Sequence, residues 1–184
     1  MICLAAITVL TGCSSQPAPD PSTTRTTAES PTDTATASPT PTVDPATAQA
    51  ETSILEAYRG YWTAKVHSYA DPTKNQDPNL AHFADDKALS DAQATIFTLR
   101  SNGISMPGMP TLAPVVSHVE LGNTPTAMIN DCVDATAWQP IYTATGASAA
   151  APGQSPRVVT ESTAFIAEGQ WRIRTSVAHR DQPC

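Results

Sequence analysis

Glu168-Gly169-Gln170-Trp171-Arg172-Ile173-Arg174-Thr175-Ser176-Val177 decides the class of fold. Trp171, Ile173 and Val177 fall on one face of an extended chain and Arg172 and Arg174 on the other. That period of two belongs to a strand buried on one side. Glu168-Gly169-Gln170 supplies a turn, and residues 158–167 before it read as a longer strand, so the two make a hairpin. Upstream lies a loop of small residues, 146–156, and before it a further strand at 138–143. Two more strands, 115–121 and 126–133, are joined across Gly122-Asn123-Thr124-Pro125, a tetrad of turn formers.

Toward the N-terminus the period changes from two to about three and a half. Ile54, Leu55, Tyr58, Trp62, Val66 and Tyr69 form one apolar and aromatic stripe, which predicts an amphipathic helix over 48–70. It stops before Asp71-Pro72, because proline disfavours helix at the residue preceding it. Asp77-Pro78 reads as a cap and first position of a short helix through Phe83. A third helix is predicted at 85–100, with Leu89, Ala92, Ile96, Phe97 and Leu99 apolar and Asn102-Gly103 as a left-handed terminator. Met106-Pro107-Gly108-Met109-Pro110 connects it to the strands. Helices followed by hairpin-linked strands predict an α+β fold with helices packed on an antiparallel sheet.

The first 47 residues have another composition. Residues 2–10 are nearly all apolar, about the length of a signal-peptide core and far short of the roughly 20 residues that span a bilayer. They lead into Leu10-Thr11-Gly12-Cys13, which resembles the bacterial lipobox. In that motif the cysteine becomes lipidated and forms the new N-terminus. The reading is therefore a signal peptide at 1–12, with lipidation at Cys13 and two acyl chains giving stable anchoring to the outer face of the cell membrane. Met1-Ile2-Cys3 lacks the basic residues that open a signal peptide, which places the expected start upstream. From Ser14 to Thr47 the chain is Thr, Pro, Ser and Ala, with Val43 its only large aliphatic residue. Such a segment cannot bury enough apolar surface to offset its ordering entropy, so 13–47 is predicted to be a disordered tether. As a flexible coil it reaches roughly 30 Å. The folded domain is predicted at 48–184.

That part carries thirteen acidic and nine basic side chains with no basic run, which excludes nucleic acid as a partner. Of four cysteines, Cys3 is removed and Cys13 lipidated, which leaves Cys132 and Cys184 as a predicted disulfide in an exported domain.

Ala57-Tyr58-Arg59-Gly60-Tyr61-Trp62 and Leu80-Ala81-His82-Phe83-Ala84 with Ala88-Leu89 come first in a longer series of features. Gly108-Met109-Pro110, Asp131-Cys132-Val133-Asp134, Gly169-Gln170-Trp171-Arg172 and the terminal Cys184 continue it. Together, in this order, they resemble a family of actinobacterial secreted lipoproteins with an NTF2-like fold. The resemblance implies a cone, with a curved antiparallel sheet wrapped around helices and a cavity at the open end. It implies no activity, because that fold hosts ligand binders and enzymes alike.

Candidate functional residues are few. Tyr58, Tyr61, Trp62 and Tyr69 on the first helix could line a pocket, although at helical spacing aromatics are more often core. His118 and Glu120 lie two apart on one strand and would make an acid/base pair if both faced inward, with a solvated outer face as the blander expectation. Asp131 and Asp134 bracket Cys132, but aspartate near a strand end usually caps a turn, so no metal site is read there. No common catalytic, nucleotide or zinc motif is present, and no cofactor is expected. The leading expectation is a non-catalytic module binding a small apolar ligand or an envelope protein. The alternatives are an acid/base enzyme acting on a hydrophobic substrate, with His118 or an Asp or Tyr as base, and a structural docking partner.

Overall fold

The computed structural model describes residues 44–184. The expected signal peptide, Cys13 and nearly all of the expected tether lie outside the described residues. Helix α1 (Pro45–Ala70) begins three residues before the expected boundary. Asp44 caps it, its carboxylate accepting the Thr47 backbone N–H at 3.2 Å, and Pro45 sits at the first position, where its missing N–H costs nothing. The tether expected to run through Thr47 is thus helical at 45–47. The helix ends at Asp71, ahead of Pro72 as expected.

Helix α2 (Asn79–Phe83) follows, with the Asp77 carboxylate accepting the Asn79 N–H at 2.9 Å. Helix α3 (Asp86–Ser101) is capped by Asp85 and closes at Asn102, whose N–H donates to the Thr98 carbonyl at 3.1 Å; Gly103 then takes φ +61°. The strands are β1 (Ile104–Ser105), β2 (Val115–Glu120), β3 (Thr126–Asp134), β4 (Ile141–Tyr142), β5 (Arg157–Ala167) and β6 (Gln170–Pro183). Four of them form an antiparallel sheet in the order β2-β3-β5-β6, and β1 pairs with β4 in a separate two-stranded ladder. The fold is α+β, helices first and antiparallel sheet after.

Two expectations need correction. The strand read at 138–143 shrinks to Ile141–Tyr142. Pro140 has no N–H for a ladder, and Trp138 turns inward to stack on Tyr69, with ring centroids 5.8 Å apart. The second correction concerns Val177, expected on the buried face with Trp171 and Ile173. In β6 the register shifts: Ile173 opposes Ala164 but Thr175 opposes Thr163, leaving Arg174 as an extra residue. A bulge of this kind reverses the facing of everything beyond it. Val177 is 45% exposed, while Ser176 faces the fully buried Ser162, hydroxyl to hydroxyl at 3.1 Å. The two arginines pair with the start of α3, Arg172 with Asp85 at 3.3 Å and Arg174 with Asp86 at 3.2 Å.

The core lies between the helices and one sheet face, centred on Ile54, Tyr58, Leu80, Ile129 and Ile173. The edge strand β6 is covered in part by the α2–α3 junction, where the Asp85 N–H donates to the Ile173 carbonyl at 3.0 Å. Gly60 lets α2 approach α1 closely, because a Cβ there would meet the Phe83 ring at 2.5 Å. Cys132 and Cys184 form the expected disulfide, with Cα atoms 5.9 Å apart and a sequence separation of 52.

Candidate functional site

A cavity of about 470 Å³ opens at the end of the sheet that the disulfide holds. Its walls are the C-terminal half of α1, the end of α3, the loop at 149–156 and the inward residues Val158, Thr160, Ala178 and Arg180 of β5 and β6. Ala178 and Arg180 point there because the Arg174 bulge has reversed the facing of β6. A second irregularity follows. Val159 pairs with His179 but Val158 with Pro183, so residues 180–182 bow out of the ladder. Arg180 belongs to this bow and donates from Nη1 to Gln154 Oε1 at 2.9 Å, which ties it to the cavity loop. The disulfide at Cys184 fixes the far end of the bow.

Lys65 is the central residue of the site. Tyr61, Trp62 and Tyr69 lie four, three and four positions from it on α1, and therefore on the same face. Its Nζ stands 4.0 Å from the Trp62 ring centroid, 5.4 Å from that of Tyr61, and 5.9 Å from those of Tyr69 and Trp138. Trp138 meets Trp62 edge-on at 5.7 Å, so the rings form a contiguous cage. Among the described residues no carboxylate lies in ion-pair contact with Lys65. Burial lowers its pKa to about 8, against a weaker opposing pull from Asp91. Asp91 is itself engaged by Lys87 at 2.7 Å. Contacts between the ammonium and the rings offset part of the desolvation, roughly 0.5–2 kcal/mol for a partly dry site. Burial also raises Tyr69 to about 12, which keeps its phenol neutral.

The tryptophans contribute unused donors. Among the described residues, the buried indole N–H groups of Trp62 and Trp138 have no acceptor. Among the described residues, the ionisable groups lining the cavity are Lys65, Arg180 and the phenol of Tyr69, with no carboxylate, histidine or thiol.

Of the candidate residues read from sequence, Tyr58, Tyr61 and Trp62 are brought together edge to face, with the Trp62 ring centroid 6.2 Å from that of Tyr58 and 6.3 Å from that of Tyr61. Trp62 lines the cavity. Tyr58 and Tyr61 are core residues, 0% and 2% exposed. Tyr58 Oη donates to Asp131 Oδ2 at 2.9 Å, and Asp131 Oδ1 accepts the Ala113 N–H at 2.7 Å. Burial raises both pKa values, each against or through the other: the Asp131 charge pushes the Tyr58 phenol further up, while the Tyr58 and Ala113 hydrogen bonds restrain Asp131. His118 is exposed, as is Glu120, and neither lines the cavity. A register shift between Val116 and His118 sets both outward. Asp134 accepts the Thr136 N–H at 2.9 Å, the turn-capping role expected of it. Asp131 was read in the same way, yet it is a core residue that ties α1 to β3.

Lys65, Trp138 and Arg180 were missed. For Lys65 a signal exists in the sequence, a lysine with aromatics at i−4, i−3 and i+4 on one helix. Trp138 falls inside the segment whose pattern predicts a strand, and Arg180 lies beyond the end that the alternation predicts for β6.

No family model matches the chain, and no curated protein does. Among solved structures it is similar to the crystal structure of the intermembrane space region of the chloroplast protein ARC6. The sequence identity is 13% and the TM-score 0.41, with 78% of this chain and 100% of that chain covered.

Proposed function

We propose that the chain is a membrane-anchored extracytoplasmic lipoprotein, tethered through Cys13, whose folded part is a non-catalytic, NTF2-like binding module. It takes a small, largely apolar ligand. One observation carries the reading: a cavity of about 470 Å³ walled by Trp62, Tyr69 and Trp138 and closed by a loop of alanines, serine and proline. That size and lining are those of a small-molecule site. Large aromatic surfaces supply binding energy, and the bonded Cys132–Cys184 pair suits an exported domain. The outer sheet face, by contrast, mixes Met128 and Val177 with Thr163, Thr175, Asn130 and Glu161, a poor surface for apolar docking.

Native mass spectrometry on the exported full chain tests the ligand reading. A non-covalent adduct that is lost in a Trp138→Ala variant supports it. A bare mass, with Trp62 and Trp138 fluorescence unmoved by apolar solutes, overturns it. The anchor has its own test. Cys13→Ser should release the protein from membranes into the medium and abolish incorporation of labelled fatty acid; retention on the membrane refutes anchoring at Cys13.

A further inference from the structure

We infer that the ligand of the cavity is an apolar molecule with a carboxylate head, and that Lys65 is the residue that receives it. The inference rests on the ligand-binding reading above and narrows it to a chemical class.

Two features point the same way. Both charged groups of the lining, Lys65 and Arg180, are cationic, in a chain whose formal net charge is −7. Complementary potential selects an anion and repels a cation. Second, Lys65 already carries a desolvation cost with no carboxylate partner among the described residues. A neutral ligand that displaced the remaining water would raise that cost, because a buried charge without a counter-ion is expensive. A carboxylate would relieve it. The remaining walls, from Leu99, Val133, Ala149 and Val158, are apolar and suit a hydrocarbon or aromatic tail.

Binding of a carboxylate is therefore linked to protons at Lys65. The ionisable groups around it are Tyr61 and Tyr69 on α1, Asp91 on α3 and Arg180 on β6. The two phenols stay neutral because burial raises their pKa values. Lys65 is thus the group whose charge changes between pH 7 and 9, and an anion beside it raises its pKa.

The experiment compares octanoate with octan-1-ol, and 3-phenylpropanoate with 3-phenylpropan-1-ol, on the exported full chain by calorimetry and tryptophan fluorescence. Each pair shares a tail and differs in the charge of its head. The expected result is that each acid binds at least about tenfold tighter than its alcohol at pH 7, the size of one well-placed charge interaction. That preference falls as pH rises past the titration of Lys65, falls to near unity in Lys65→Met and is partly kept in Lys65→Arg. Near-ultraviolet circular dichroism establishes that each variant is folded. Equal binding of acid and alcohol by the unaltered chain overturns the inference while leaving the cavity a binding site. A preference that survives in folded Lys65→Met overturns the role of Lys65. Failure of the folded, unaltered chain to bind any of the four overturns the inference and the ligand-binding reading together.

Discussion

Tyr58 Oη donates to Asp131 Oδ2 at 2.9 Å, joining the middle of α1 to the middle of β3 inside the core. Tyr58 is fully buried and Asp131 3% exposed, so neither group can turn to water if its partner is removed. Tyr58→Phe keeps the ring and deletes the donor, which leaves Asp131 with the Ala113 N–H as its remaining hydrogen bond. The loss should cost about 2 kcal/mol, the range for a hydrogen bond to a charged or buried acceptor. Urea denaturation measures it. A change below a few tenths of a kcal/mol would show that the pair is not a strut.

Asp131 also predicts a pH dependence. Its folded-state pKa is raised, with burial the main cause. Between the ordinary carboxylate value and that raised value the folded chain holds the extra proton. Stability contributed by this group therefore falls as pH rises through that window. Asp71, Asp77 and Asp134 are lowered and act in the opposite sense at lower pH, so the test is a difference. Stability of the unaltered chain minus that of Asp131→Asn, measured against pH, should decline above pH 4.

Reduction of the Cys132–Cys184 bond should lower stability by roughly 4 kcal/mol in the loop-entropy account, given the separation of 52 residues. It should also free the bow at 180–182, whose far end the bond holds. The prediction is a lower melting temperature on adding reductant, together with faster hydrogen exchange in the last residues of β6. Exchange confined to other segments would mean that the bow is held by its Gln154 contact instead.

Gly60 sits mid-helix against the Phe83 ring. Alanine is normally the better helix former by about 1 kcal/mol, so in an open site Gly60→Ala would stabilise. Here the added methyl forces the ring to move, an overpacking cost of about 1–3 kcal/mol. The net effect should be destabilising, and Phe83→Leu in the same chain should recover part of it. Denaturant midpoints of the two singles and the double decide it.

What was legible in the sequence was what a regular period carries. The stripe from Ile54 to Tyr69 marked α1, and hairpin turns marked β2, β3 and β5 to within a residue, whereas β6, expected to end at Val177, runs on to Pro183. The unpaired cysteines marked their bond. What was not legible came from broken periods. One extra residue at Arg174 sends Val177 out and Ala178 and Arg180 in, and no count by twos along β6 reveals it. The β6 part of the cavity wall, Ala178 and Arg180, depends on that reversal. Trp138 could not be placed from its neighbours, since its burial is decided by Tyr69 and Trp62, far away in sequence. Of the aromatics read as pocket residues, Tyr58 is sealed in the core, and Tyr61 is buried with its ring centroid 5.4 Å from the Lys65 Nζ, behind the cavity wall.

Lys65 gives a stability signature that needs no ligand. Its pKa is lowered to about 8 in the folded chain, from 10.5 when free in water. Between those values the unfolded chain binds the proton and the folded chain does not, so stability rises with pH across the window. Burial also raises Tyr58, Tyr61 and Tyr69, so above pH 10 the unfolded chain loses phenolic protons that the folded chain keeps, and stability falls. The Lys65 contribution is therefore isolated between pH 8 and 10. Its full size is on the order of 3 kcal/mol, less to the extent that water reaches the ammonium. Lys65→Met, which keeps the apolar stem and drops the charge, should lose the rise while gaining stability at pH 7. If the rise persists in the methionine variant, another group titrates there. If neither chain shows it, the aromatic cage compensates the buried charge in full.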